Sequence, residues 1–322
     1  MSQVHPENWP VLMTNGALDA ELLADVRALA AAAEEDDGNP PFSEQTLVML
    51  RGVDDGDSTV ASFALYAPDE DSDPMTGEDL AGIAVVVQAG SSGVLELAVH
   101  PSYRNLGVAG RLLSALQDNR GLDGLNAWSH GNHEAAAELA ERFGYAPLRE
   151  LWKMRLMSSA ADLPDAGLPE GITLRAFVPG RDEQAWLAAN RAAFAHHPEQ
   201  GSMTMADLMA REAESWFDPE GFLLAVNAED ELLGFHWTKV HAQLGPHPAM
   251  GEVYVVGVTP DAQGLGLGKA LTVAGIKYLQ AQGLHAVMLY VDADNHAAVA
   301  LYQKLGFVRW DTDVMYGPLA QS

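Results

Sequence analysis

Along the chain, short apolar runs alternate with stretches in which apolar residues recur every three or four positions, so strands and amphipathic helices share one fold. The first half reads as a helix over about 18–34, a second around 43–50 after Pro40-Pro41, and strands near 59–66, 80–88 and 94–99. A helix over 107–119, a strand at 124–129, a helix at 133–142 and a strand near 148–157 complete it. The second half restarts with a strand at 172–177 and helices over 182–195 and 204–216. The runs FLLAV and LLGFHWTKV then form a hairpin joined at Asn227–Glu231. The strand EVYVVGVTP, a helix over 268–282, the strand AVMLYVD, a helix over 296–305 and a final strand pair follow. Hairpins combined with strand–helix crossovers predict an α/β fold built on a mixed sheet. The small, polar, proline-bearing segment 158–171 reads as a linker between domains at 1–157 and 172–322.

The two halves repeat a motif. Arg104-Asn105-Leu106-Gly107-Val108-Ala109-Gly110 and Gln263-Gly264-Leu265-Gly266-Leu267-Gly268-Lys269 each follow an apolar run ending in a proline turn and lead into a helical pattern. Arg104 and Gln263 stand 159 positions apart, as do Pro101 and Pro260, which marks an internal duplication. A strand, a glycine turn and a helix start converge backbone N–H groups on one point. The helix N-terminus adds about half a positive charge, so each loop suits a pyrophosphate. The spacing is neither the triphosphate loop G-x-x-x-x-G-K-[ST] nor a dinucleotide fingerprint.

R/Q-x-x-G-x-G/A after a strand resembles the coenzyme A loop of the GNAT acetyltransferase superfamily. Each half also carries a later strand, an Asn-His pair and a short helix ending in Gly-aromatic, from Asn132 to Gly144-Tyr145 and from Asn295 to Gly306-Phe307. The resemblance implies two tandem GNAT domains, with loop amides holding the pyrophosphate and pantetheine along the preceding strand.

Composition narrows the function. A chain of 322 residues suits two domains of ordinary size. The absence of cysteine excludes disulfides and thiolate chemistry. The net charge of −27 argues against a nucleic-acid partner. Apolar runs are strand-length and the N-terminus MSQVHPENWP has no signal-peptide pattern, so no membrane span is expected, and the cytoplasm is the expected compartment. Arg104, Arg111 and Lys269 are local cations for an anionic coenzyme, and the acidic stretches Glu34–Asp37, Asp54–Asp57 and Asp69–Asp73 read as solvated loops. His196, His197, His236, His241 and His247 form no helical metal-ligand pattern; His236 and His241, five apart in a strand, point to opposite faces, and no metal is expected.

Acetyl transfer from a thioester to an amine needs a proton acceptor for the amine, stabilisation of the carbonyl oxygen and a donor for the departing thiolate. In the second half Glu252 opens the strand beside the glycine loop and Tyr302 lies on the helix after Asn295. Carried to the first half by offsets of 159 and 162, these positions fall on Gly93 and Ala140, so only the second half carries the chemistry.

Four longer strings, at 190–201, 216–221, 232–241 and 251–258, resemble the mycothiol synthase family of tandem GNAT enzymes. That resemblance implies acetyl-CoA-dependent acetylation of the cysteinyl amine of cysteinyl-glucosaminyl-inositol, with Glu252 as general base and Tyr302 as general acid. It implies substrate contacts at Glu44, Glu199, Lys239, Glu252 and Tyr290. In the second half it implies acetyl-CoA contacts at Val256, Gly257, Val258, Gln263, Gly264, Leu265, Gly266, Leu267, Gly268, Lys269, Asn295, His296, Ala297, Ala298, Val299 and Ala300. The matching contacts in the first half are Leu97, Ala98, Val99, Asn105, Leu106, Gly107, Val108, Ala109 and Gly110. A monomer acting on a small aminosugar-inositol is expected. A GNAT enzyme for another small amine or a protein N-terminus shares the loop evidence, and an acetyl-CoA sensor is the reading from a different class.

Overall fold

The computed structural model describes residues 6–52, 58–68, 79–90, 92–157, 163–164, 166–195, 200–243 and 248–319. It divides into two compact units, Met1–Leu151 with Thr312–Ser322, and Trp152–Asp311. The first contains β1 (Val11–Asn15), α1 (Ala20–Asp37), α2 (Glu44–Leu50), β2 (Ser58–Ala67), β3 (Asp79–Ala89), β4 (Ser92–Val99), α3 (Val108–Arg120), β5 (Leu125–Ser129), α4 (Glu134–Arg142) and the start of β6 (Tyr145–Met157). The second takes the rest of β6, then β7 (Thr173–Ala176), α5 (Glu183–Ala193), α6 (Met205–Glu212), β8 (Phe222–Val226), β9 (Leu232–His241), β10 (Met250–Val258), α7 (Leu267–Ala281), β11 (Ala286–Asp292) and α8 (His296–Lys304). The chain ends in β12 (Val308–Pro318), whose residues from Thr312 onward belong to the first unit.

In the first unit the strand order is β1-β2-β3-β4-β5-β12, antiparallel except for the parallel pair β4–β5. In the second it is β6-β11-β10-β9-β8-β7, with β10–β11 parallel and β7 to β10 antiparallel. Side chains alternate between the two faces along the strands, and helices cover both. In the first unit Leu112 and Leu116 of α3 pack with Phe63, Val86 and Leu95 on one side. Val26 and Leu29 of α1 pack with Ile83, Val85 and Ala98 on the other. The second unit repeats this layering: Val273 and Ile276 of α7 cover Val253 and Leu289, and Trp186 and Leu208 of α5 and α6 cover Phe222, Phe235 and Trp237.

Helix limits follow from local chemistry. Asp19 caps α1 by accepting from the Leu22 amide, and Gly38, left-handed at φ 71°, ends it. A capping box of Thr204 and Asp207 starts α6, which stops at Glu212 and not at 216. The expected final strand pair is one continuous strand, β12. Strand β1 escaped the sequence reading because its five residues alternate only weakly and are half exposed. The stretch Glu34–Asp37 is the last turn of α1 and not a loop, while Asp54–Asp57 and Asp69–Asp73 lie outside the described residues.

Candidate active site

The duplication is exact in backbone geometry around the glycine loops. Short 3₁₀ turns at Pro101–Tyr103 and Pro260–Ala262 precede them, and α3 and α7 begin at Val108 and Leu267. The left-handed positions are Asn105 (φ 61°) and Gly107 (φ 93°) in one loop, and Gly264 (φ 82°) and Gly266 (φ 80°) in the other. Neither Gly107 nor Gly266 supplies a side-chain cap, so the first amides of α3 and α7 keep their donors for an external acceptor. A Cβ built at Gly264 or Gly266 meets nothing within 4 Å, so backbone φ and open approach require glycine there, not internal packing.

In the second unit β10 and β11 pair only over Gly251–Val253 and Val287–Leu289, although β10 runs on to Val258 and β11 to Asp292. The strands therefore part toward their carboxyl ends, leaving the edge at Val256, Gly257 and Val258 open above the loop. A β-bulge between Val253 and Val255 leaves Tyr254 with no partner on β9 and adds local twist. On β10, Gly251 lies against Leu279 of α7 and Val253 packs with Val273 and Ile276, so Glu252 between them points to the opposite face.

On that opposite face Glu252 is 5% exposed and its Oε2 lies 2.6 Å from Nε2 of His241. Lys239 is its direct partner across β9, and the Lys239 ammonium sits over the rings of Trp216 (4.8 Å) and Tyr254 (5.4 Å). Arg211 donates from Nε to the Tyr254 hydroxyl at 2.9 Å. Met288 pairs with Glu252, and Tyr290, two residues on, shares its face; the buried Lys153 ammonium lies 5.4 Å from the Tyr290 ring. Glu252, Lys239 and Tyr290 thus project from one face of one sheet. Glu199, with His196 and His197, lies outside the described residues.

Tyr302 belongs to the other face. It is buried on α8 among Val299, Val253 and Leu289, edge-on to Phe307 at 5.8 Å. Burial pushes its phenol up to about 12, so it is fully protonated at neutral pH. Asn295 caps α8, its Oδ1 accepting from the Ala298 amide at 3.2 Å, which fixes where residues 296–300 begin to turn.

The first unit keeps the scaffold but not these groups. Its β4–β5 pair also stops early, at Leu95↔Ala127, and a cleft of about 570 Å³ opens there, lined by Leu97, Val99, Asn105, Gly107, His130 and Tyr145. Helices α4 and α8 match at an offset of 162 from first residue to last, which sets Tyr302 against Ala140. Aligning β5 with β11 by that offset, the parallel pairs set Gly251 against Gly93 and Glu252 against Val94, so that β4 and β10 stand 158 positions apart there. The expected counterpart Gly93 is therefore corrected by one residue. The reason is the bulge in β10, for which the ladder of β3 with β4 has no equivalent. Arg104 is not a free cation for a coenzyme: its guanidinium is held by Asp36 at 2.9 Å and by Asp37 at 2.7 Å. Its counterpart in the second loop is the neutral Gln263, and Lys269 is exposed.

The first unit also holds a buried charge network absent from the sequence reading. His130 bonds Asp313 through Nδ1 at 3.0 Å and Glu96 through Nε2 at 3.1 Å. The Ser43 amide donates to both Glu96 oxygens at 3.1 Å, and the Gly131 amide donates to Asp313 at 2.9 Å. Burial alone would lower the His130 pKa; the bonds from Asp313 and Glu96 outweigh it and raise it to about 9. A histidine raised from 6.5 contributes stability that is complete below 6.5 and lost as pH rises through about 9. We expect the denaturation midpoint to fall between those values by an amount equivalent to about 3 kcal/mol, and His130→Gln to remove that slope.

Residues 186–307 match the Acetyltransferase (GNAT) family, and residues 66–147 match an Acetyltransferase (GNAT) domain. The mycothiol acetyltransferase of Paenarthrobacter aurescens (strain TC1) is 81% identical over 100% of both chains. That of Arthrobacter sp. (strain FB24) is 70% identical over 99% of both. The chain belongs to the mycothiol acetyltransferases, within the GNAT family. A GCN5-related N-acetyltransferase from Sphaerobacter thermophilus shares its fold, with TM-score 0.63, 27% identity and coverage of 96% of this chain and 98% of that one.

As a mycothiol acetyltransferase the chain is an N-acetyltransferase of two tandem GNAT domains. Among the described residues no helix is long and apolar enough to cross a membrane, and no group of three or more His, Asp or Glu could hold a metal ion. The sequence reading gave no site role to Lys153, His241 or the aromatic pair Trp216–Tyr254. Lys153 precedes the second half in sequence, and the other three gain meaning only once β9 and β10 are registered. His236 does point away from His241, as strand alternation predicts: its Nδ1 donates to the Leu271 carbonyl at 2.8 Å, on the α7 face.

Proposed function

We propose that the second unit transfers the acetyl group of acetyl-CoA to the cysteinyl amine of cysteinyl-glucosaminyl-inositol. The observation that carries this reading is the placement of Glu252 and Tyr302 on opposite faces of the sheet where β10 and β11 part. The gap between parted strands gives a thioester lying in it access to both. The uncapped start of α7 with Gln263–Lys269, the open edge Val256–Val258 and the start of α8 at Asn295–Ala300 fit an anionic head followed by a thin, amide-bearing arm.

Acetyl-CoA supplies an activated acetyl thioester when bound. Glu252 accepts the proton of the substrate ammonium, directly or through one water, so that a neutral amine attacks. Amides along the parted edge of β10 stabilise the carbonyl oxygen as charge develops. Tyr302 donates to the departing sulfur. Full transfer from a phenol at about 12 to a thiolate of ordinary pKa ~8.5 is uphill by about 5 kcal/mol, so Tyr302 acts chiefly by hydrogen bonding. Lys239, Tyr290 and Glu199 recognise the polyhydroxylated substrate.

The first unit binds acetyl-CoA at Leu97–Val99 and Asn105–Gly110 without turning it over. On β4 the Glu96 carboxylate already accepts from Ser43 and His130, and Ala140 offers no donor. Glu44, the first residue of α2, is assigned to amine recognition, so Glu44→Ala should raise KM for the amine several-fold and leave acetyl-CoA affinity unchanged. The reading as a whole is tested by incubating the chain with acetyl-CoA and cysteinyl-glucosaminyl-inositol and following release of free thiol. Turnover confined to other amines would keep the family and replace the substrate.

A further inference from the structure

We infer that His241 is the positioning residue of the general base: its imidazole holds one oxygen of Glu252 so that the other meets the amine. This rests on the reading of Glu252 as the base. The separation of 2.6 Å between His241 Nε2 and Glu252 Oε2 requires a proton between them. An ionised carboxylate can only accept, so that proton sits on Nε2, and the bond is of the short, charge-assisted kind.

Strand pairing sets this contact in place. His241 is the last residue of β9 and pairs with Met250, while Glu252 pairs with Lys239. His241 and Glu252 are therefore diagonal neighbours on one face, within reach of a long side chain. The ladder, not the following loop, places the imidazole. Exposure divides the two roles: the Glu252 side chain is 7% exposed and that of His241 is 38%. A carboxylate oxygen buried that deeply needs a hydrogen-bond donor. His241 supplies one, reaching in from the rim, and leaves Oε1 to face the substrate. Among the described residues, charged groups on this face include Lys239, set over Trp216 and Tyr254, Arg211, bound to the Tyr254 hydroxyl, and Lys153, set over Tyr290. The imidazole is the group hydrogen-bonded to Oε2 itself.

The test uses initial-rate kinetics on the full chain with acetyl-CoA and cysteinyl-glucosaminyl-inositol, comparing wild type with His241→Leu, His241→Gln, Glu252→Gln and the Glu252→Gln/His241→Leu double variant. His241→Leu should lower kcat by about 10- to 100-fold, within the range that a positioned acid–base group contributes, with KM for acetyl-CoA unchanged. His241→Gln, whose side-chain amide can donate to the same oxygen, should recover most of the loss. The double variant should be no slower than Glu252→Gln alone, because His241 acts through Glu252. Thermal melting of each variant within a few degrees of wild type keeps folding out of the comparison. Wild-type kcat in His241→Leu overturns the inference. Equal loss in the Leu and Gln variants also overturns it, since ring packing and not the N–H donor would then matter. A wild-type rate in Glu252→Gln beside a slow His241→Leu removes the base reading, and the inference falls with it.

Discussion

Glu252→Gln is expected to reduce kcat for acetyl transfer by about 10²- to 10⁴-fold, the range typical of a lost general base. Glutamine keeps the shape and can still meet His241, so burial at this position changes little and the protein should fold as before. What it removes is an acceptor for the ammonium proton. The loss should be largest at neutral pH and smaller at high pH, where free amine becomes abundant without help. KM for acetyl-CoA should stay within about twofold, because its proposed contacts, along the parted edge of β10 and the α7 loop, do not include Glu252. The measurement is thiol release under saturating acetyl-CoA, with wild type and variant compared from pH 6 to pH 10 (about four units, spanning ordinary amine titration). A variant with wild-type kcat throughout would move the base elsewhere on the same face, to a neighbour of Lys239 or Tyr290.

Gly275→Ala should destabilise the second unit by about 3 kcal/mol or more, the upper range for overpacking. Gly275 lies in the middle of α7, where alanine is ordinarily the better helix former by about 1 kcal/mol. Packing reverses that preference. A Cβ at Gly275 would run into the His236 ring, which is fully buried on β9. The ring cannot retreat without breaking its bond to the Leu271 carbonyl, and a buried donor left unpaired costs a further ~1–3 kcal/mol. Desolvation lowers His236 to about 4, so it stays neutral and cannot escape by ionising. Denaturation midpoints of wild type, Gly275→Ala and Gly275→Ala/His236→Ala would separate the terms. Recovery of part of the loss in the double variant identifies overlap with the ring, and equal midpoints for wild type and Gly275→Ala would contradict it.

Much of this molecule could be read along the chain because its signals are local. The proline turns, the left-handed glycines and the helix starts lie within about ten residues of one another and recur at 159 positions. That repetition, with the period of the apolar residues, determined the fold class, the duplication, the paired glycine loops and the half that carries Glu252 and Tyr302. Most helices and strands were placed to within a few residues for the same reason.

What the sequence left open were relations between strands. An offset counted along the chain set Glu252 against Gly93, because a one-residue bulge changes register without leaving a local signature. Arg104 looked like a free cation beside a loop until α1 folded Asp36 and Asp37 against it, 67 and 68 positions away. His130, Glu96 and Asp313 read as three unrelated residues, since Asp313 lies 183 positions from His130 and returns to the first unit only at the end of β12. His241 became a partner of Glu252 only when antiparallel pairing put Met250 opposite it. Sequence alone determined the elements and the order of the motifs along them, because propensity, period and turn geometry act over a few residues. The tertiary structure alone decided which charges meet, because ion pairing and burial depend on distance through space, and strand register sets that distance.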